Sequence, residues 1–261
     1  MSITLNKELS VEQVRKYHEE GYLGPFTLCS PDEMAKIREK LVNEIDVEKN
    51  PHSQHTNHKL VYDLCTHENV IKPIQSIFGE SLVLWRSVFW CKNPGEKAVP
   101  WHQDAYYWPI EPAINITAWL AIDPAFASNS CVQVIPGSHK SVVPHISSNK
   151  SDNMSIFHAK EADLNYVNTD EAIPMELEPG QFFLFNERLL HYSAPNTSDQ
   201  RRIGLAIRIT LPFVKIGGEQ DSEQRFEKSG IFNPSKIQEG NNFLIGEDTV
   251  GINKYGVPPT K

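Results

Sequence analysis

Pro100-Trp101-His102-Gln103-Asp104 is the stretch on which the reading of this chain turns. In an extended segment, positions i and i+2 point the same way, so His102 and Asp104 can aim an imidazole nitrogen and a carboxylate at one point. Two histidines and one carboxylate on one face of a metal form the facial triad of non-haem iron(II) oxygenases. That arrangement leaves coordination positions open for a bidentate cosubstrate and O2. The second histidine must come from elsewhere in the chain, and His191 is the candidate. It follows the apolar run Gln181-Phe-Phe-Leu-Phe-Asn186, within Glu187-Arg-Leu-Leu-His191-Tyr-Ser193. Arg202, at the head of the run 203–211, offers a guanidinium that can pair side-on with the distal carboxylate of an α-keto diacid. An H-x-D pair alone arises by chance in many proteins; the joint pattern with His191 and Arg202 carries the reading.

Outward from this stretch, apolar and β-branched runs are short and punctuated by Pro, Gly, Asn and Asp. They predict strands over residues 82–91, 114–122, 131–135, 172–177, 181–186 and 203–211. Pro94-Gly95, Pro136-Gly137 and Pro179-Gly180 mark turns. Upstream the texture is helical. Ser10 with Gln13 reads as a capping box for a helix ending near Gly21, and Ser30-Pro31-Asp32-Glu33 starts a second helix running to about residue 45. A third helix is expected over 67–78, closed by Gly79, with 49–59 as a loop. Helices first and strands later predict a single domain, mainly β with flanking helices. Its helical part covers about 10–80 and its β core about 81–215, followed by a loop-rich tail. Residues 140–170 read as a long insertion or lid.

The formal charge of −8, from 25 basic and 33 acidic side chains, argues against nucleic acid and anionic membranes as partners. It leaves the substrate open, because a site can differ in sign from the whole. Residues 1–22 lack the apolar core of a signal peptide, and no run approaches the ~18 apolar residues that span a membrane. Cys29, Cys65, Cys91 and Cys131 form no C-x-x-C pair, so a zinc ribbon or redox dithiol is not expected. These features predict a cytoplasmic protein, monomeric or homodimeric, acting on a small molecule.

The chain resembles the phytanoyl-CoA dioxygenase family of 2-oxoglutarate oxygenases over roughly residues 10–215. The resemblance rests on E-E-G-Y-L around Gly21, P-W-H-Q-D at 100–104, A-W-L-A-I-D at 118–123 and Q-V-I-P-G-S-H-K at 133–140. It continues through E-P-G-Q-F-F-L-F-N at 178–186, H-Y-S at 191–193 and Arg202. It implies a double-stranded β-helix, a jelly-roll or cupin-like barrel. It also implies His102, Asp104 and His191 as iron(II) ligands and Arg202 as the clamp for the distal carboxylate of 2-oxoglutarate. Ser193 would help hold that carboxylate, and Gln103 and Trp119 would line the cosubstrate pocket. Trp119 reads equally as plain core, and Ser193 as an ordinary strand-end serine. His139 reads as structural. Asn129-Ser130-Cys131 departs from the Asn-Gly-Cys expected in the family, a change predicted to alter a turn and not the chemistry.

The implied reaction couples O2 and 2-oxoglutarate, released as succinate and CO2, to hydroxylation of an aliphatic carbon. Halogenating relatives carry a small residue where this chain has Asp104, so hydroxylation is the expected outcome and halogenation is not; desaturation, ring closure and oxidative demethylation stay open, because they begin with the same hydrogen abstraction. A small polar metabolite or natural-product intermediate fits the sequence better than an acyl-CoA, because no basic patch for coenzyme A is evident. Trp108 and Tyr106 either stack on such a substrate or shield the core. Arg86 either meets an anionic substrate group or forms a structural ion pair. The competing readings are a cupin-like metal enzyme that does not use 2-oxoglutarate, which Arg202 argues against, and a non-catalytic ligand-binding relative.

Overall fold

The central strands of this protein are buried at almost every position because both of their faces are covered. The computed structural model describes residues 8–147, 160–217 and 242–261. Ten strands build the core. They are β1 (Tyr22–Thr27), β2 (Leu82–Lys92), β3 (Val99–His102), β4 (Ile116–Ala121), β5 (Val132–Val134), β6 (Ile173–Met175), β7 (Gln181–Asn186), β8 (His191–Ser193), β9 (Arg202–Thr210) and β10 (Phe243–Ile245). One sheet has the order β1-β7-β4-β9-β2-β10, the other β3-β8-β5-β6, and the pairings within both are antiparallel. This is the expected mainly-β, jelly-roll class with flanking helices.

Alternation along each strand sorts the side chains into two layers. Phe182 and Leu184 of β7, Ala118 and Leu120 of β4, and Leu205 and Ile207 of β9 face the helical layer. Phe183 and Phe185, Trp119 and Ala121, and Ala206 face inward, where they meet Val132 and Val134 of the smaller sheet. The helical layer consists of α1 (Val11–Glu20), α2 (Pro31–Lys40), α3 (Lys59–Cys65) and α4 (Glu68–Phe78), contributing Tyr17, Met34, Val61, Leu64, Val70 and Ile74. Both expected capping boxes form, Ser10 with Gln13 and Ser30 with Glu33. The second helix does run to Ile45, but its last turn, Leu41–Ile45, is a π-helix that ends at Asp46 in the left-handed region (φ 53°).

Two of the resemblance motifs meet in the fold. Gly21 closes α1 at φ 79°. A Cβ there would fall 2.4 Å from the His139 ring, whose Nε2 bonds the His18 carbonyl at 3.1 Å. His139 therefore has the structural place expected of it.

β1, β3, β8 and β10 were not among the expected strands, nor was α3 among the expected helices. Of the 140–170 insertion, residues 148–159 lie outside the described residues. The remainder forms a ribbon of His145–Ser147 with Lys160–Ala162 and two 3-10 turns. The tail reading falls partly on 218–241, also outside the described residues; beyond it, β10 extends the larger sheet along β2. No helix among the described residues is long and apolar enough to cross a membrane.

Candidate active site

His102 and His191 stand directly opposite each other where β3 pairs with β8. From that pair to the next, Val99 with Ser193, the chain takes three steps on β3 and two on β8. This bulge is what lets Val99, His102, His191 and Ser193 all border one cavity. Asp104 is not on the strand. It opens a 3-10 turn, Asp104–Tyr106, so a strand end followed by a tight turn, and not simple i, i+2 alternation, brings it to His102. Its Oδ1 lies 3.7 Å from His102 Nε2 and its Oδ2 3.9 Å from His191 Nε2. One ligand atom from each of the three buried residues lies within 4.8 Å of the others.

The tautomers follow from the outer contacts. His102 Nδ1 donates to the Pro100 carbonyl at 2.8 Å and His191 Nδ1 to the Leu189 carbonyl at 2.9 Å. A carbonyl only accepts, so each Nδ1 carries a proton and each Nε2 is the atom turned toward Asp104. Burial, followed by the neighbouring His102, pushes the His191 imidazole down to about 3, so it is neutral and ready to ligate. Burial alone would raise the Asp104 carboxyl; Arg208, with Nη2 3.7 Å from Oδ1, and the two histidines together outweigh that and hold it well below the usual carboxylate range.

At another part of the same cavity lies Arg202. Its guanidinium sits 5.2 Å over the Trp119 ring, its Nη1 donates to the Ser130 carbonyl at 2.7 Å, and its buried Nε has no partner among the described residues. Gly204 makes the arrangement possible: a Cβ there would lie 2.1 Å from Trp119 Cζ2. Arg201 points the other way, onto Asp123 at 3.2 Å. Two imidazoles, a carboxylate and a nearby buried guanidinium form a donor set suited to a divalent metal carrying a diacid.

The sequence profile described as phytanoyl-CoA dioxygenase (PhyH) matches residues 17–204, well over half of the chain. The chain belongs to the phytanoyl-CoA dioxygenase family. It is similar to dioxygenase lolE1 of Epichloe uncinata, 30% identical over 145 residues that cover 56% of this chain and 52% of that one. Here the match spans about half of the relative's length. A probable alpha-ketoglutarate-dependent hypophosphite dioxygenase of Stutzerimonas stutzeri is 28% identical over 246 residues, covering 81% of this chain and 84% of that one. Among solved structures, CytC3 with Fe(II) and alpha-ketoglutarate superposes with a TM-score of 0.70 at 22% identity, covering 96% of this chain and 94% of that one. The protein is a 2-oxoglutarate-dependent dioxygenase. The cupin-like alternative without 2-oxoglutarate is thereby set aside.

Within this dioxygenase, some expected residues sit elsewhere than the sequence suggested. Gln103 does not line the cavity. Its Nε2 donates to the Ser141 and Arg188 carbonyls, each at 2.7 Å, and its Oε1 accepts from the Val143 N–H at 2.9 Å. An amide saturated by three backbone groups is a loop clamp, which corrects the pocket expectation. Trp108 is core: 2% exposed, edge-on to Trp85 and under the Arg208 guanidinium at 4.5 Å. Tyr106 is 42% exposed and stacks on His145 with centroids 4.2 Å apart. Arg86 is buried and lies opposite Arg208 in the β2–β9 register. Ser193 does border the cavity, as does Trp119.

Four further polar residues of the family member are buried near the site. Lys92 donates to Ser193 Oγ at 2.8 Å, Ser130 Oγ at 3.0 Å and the Ala194 carbonyl at 2.6 Å; burial, followed by Arg202, pushes it down to about 7. Ser130, where the family pattern has glycine, holds φ 74° and also donates its hydroxyl to the Ala194 carbonyl. The departure therefore reaches the Arg202 end of the site and is more than a turn effect. Burial lifts Glu187 to about 7, and its Oε2 accepts from the Asn115 N–H at 3.1 Å. Arg208 was legible in principle, as a charge in an apolar strand with the same parity as Arg202.

Proposed function

We infer that this family member hydroxylates an aliphatic carbon of a small, polar metabolite or natural-product intermediate. The observation that carries the reading is the convergence of the His102 and His191 imidazoles, the Asp104 carboxylate and the Arg202 guanidinium on one cavity. In the reading, His102, Asp104 and His191 hold the iron, and Arg202 pairs with the distal carboxylate of 2-oxoglutarate, aided by the Ser193 hydroxyl. Iron(II) with its keto acid couples O2 reduction and decarboxylation to succinate and CO2 with oxidation of a substrate C–H bond. The chain contributes orientation and dryness. The Pro100 and Leu189 carbonyls fix the imidazoles, and Val132, Phe185 and Ala206 exclude water around them. The Stutzerimonas relative is named for hypophosphite, itself small and polar. Residues 1–261 are read as one catalytic domain.

The test is anaerobic titration of the apo protein with Fe(II) and then 2-oxoglutarate, followed by visible spectroscopy. A charge-transfer band that appears in the wild type and is lost in Asp104→Ala is the expected result. Iron binding with no band overturns the cosubstrate roles, and no iron binding overturns the triad. Succinate release is then screened against amino acids, phosphonates, small polar metabolites and acyl-CoA thioesters. Turnover confined to the thioesters would overturn the substrate class.

A further inference from the structure

We propose that the cavity binds the oxyanion of an anionic substrate, a carboxylate or phosphonate, through the Arg208 guanidinium, with Arg86 reinforcing the field from the adjacent strand. This rests on the reading above that a small polar molecule enters beside the iron site.

The inner face of β9 carries two cavity-lining arginines six positions apart, about 20 Å along an extended strand. They sit on different aromatic platforms, Arg202 over Trp119 and Arg208 over Trp108. One small diacid cannot be clamped distally by both. Arg202 serves the cosubstrate in the reading above, so Arg208 requires another account.

That account starts from burial. Arg208 is 6% exposed, and its Nε is buried without a hydrogen-bond partner among the described residues. A guanidinium in such a place calls for an anion with hydrogen-bond acceptors. The carboxylate beside it is Asp104, and the 3.7 Å gap between Arg208 Nη2 and Asp104 Oδ1 is longer than a hydrogen bond. Asp104 is also committed to the metal in the proposed site. Arg86 faces Arg208 in register, is equally buried and adds like charge at the same spot. Two adjacent buried cations attract an oxyanion where a single one would be weaker, and a neutral isostere would leave the Arg208 fork unsatisfied. The Trp108 ring beneath holds the guanidinium plane fixed, so little ordering is lost on binding.

The probe is a charged and neutral pair of the same shape, butyrate and butyramide. Each is titrated calorimetrically into anaerobic protein saturated with Fe(II) and 2-oxoglutarate, which keeps Arg202 occupied. Butyrate is expected to bind at least about tenfold more tightly than butyramide. In Arg208→Gln the two should fall within about twofold of each other while the keto-acid band persists. Equal affinities in the wild type overturn the proposal, as does a preference that survives in Arg208→Gln. Should that variant not fold, Arg208→Lys replaces it: butyrate affinity several-fold weaker with butyramide unchanged supports the proposal, and unchanged butyrate affinity overturns it. The two readings fail separately. Without a keto-acid band in the wild type the proposed iron and cosubstrate roles fall, yet the same Arg208 comparison in iron-loaded protein still decides this one.

Discussion

At the scale of single residues, the site depends on one absent side chain. Trp119 lies across Gly204 so closely that a Cβ would come within 2.1 Å of the ring. Gly204→Ala must therefore push the indole toward Arg202, which sits 5.2 Å over it. The expected outcome is about 1–3 kcal/mol of lost stability and roughly tenfold weaker 2-oxoglutarate binding. Thermal melts and the keto-acid titration check this; a variant with wild-type cosubstrate affinity would show that Trp119 does not set the position of Arg202. Lys92 acts by direction. Its ammonium donates to Ser193 Oγ at 2.8 Å, which leaves the serine's own proton free to point into the cavity. Lys92→Met should raise KM for 2-oxoglutarate about tenfold while leaving iron affinity near wild type, as read by steady-state kinetics and metal titration. His102, Asp104, His191 and Arg202 were legible because their spacing and chemistry are rare together. Lys92 and Ser130 were not, because a lysine at a strand end and a serine in a turn look like surface groups until the fold folds them over Arg202.

At the scale of elements, legibility followed length and periodicity. Long runs buried on both faces, such as β2, β7 and β9, were found within a residue or two. β3 and β8, the strands that deliver both histidines, are four and three residues long and carry no measurable alternation. The bulge between them has no sequence signature, although it turns His102 and Val99 to the same side. Gln103 was assigned to the wrong element for a related reason: its neighbours in sequence face the cavity, while its side chain ties the 141–143 segment to the loop before β8. That role gives a prediction. Gln103→Ala strands two carbonyls and one N–H, so it should destabilise the protein by about 2–3 kcal/mol by chemical denaturation. If the loss is below about 0.5 kcal/mol, water replaces the amide readily and the clamp is unimportant.

At the scale of the whole molecule, an acidic chain of net charge −8 encloses a cavity region rich in cations: Arg86, Lys92, Arg202 and Arg208 are all buried. Composition revealed the exterior and hid the interior, since buried charges are few against many on the surface. The same burial sets the response of the metal-free protein to acid. Burial is the leading cause that pushes His145 down to about 4 and His191 down to about 3 from an ordinary 6.5, and Tyr106, Tyr107, Lys160 and His102 surround the former. Below pH 6.5 the unfolded chain takes up both protons and the folded chain does not, so stability falls as pH drops toward 4. Glu187 opposes this. Raised to about 7 from 4.5, it keeps its proton in the fold where the unfolded chain has lost it, so its contribution is full below pH 4.5 and disappears as pH rises through 7. Two histidines outweigh one glutamate, and the melting temperature of EDTA-treated protein should fall between pH 6.5 and 4.5. His145→Gln should flatten that slope and Glu187→Gln should steepen it, each by on the order of 1–2 kcal/mol across the window. A Glu187→Gln variant with a shallower acid slope than the wild type would mean that Glu187 is ionised in the fold and that its burial is offset by a cation beyond Arg188.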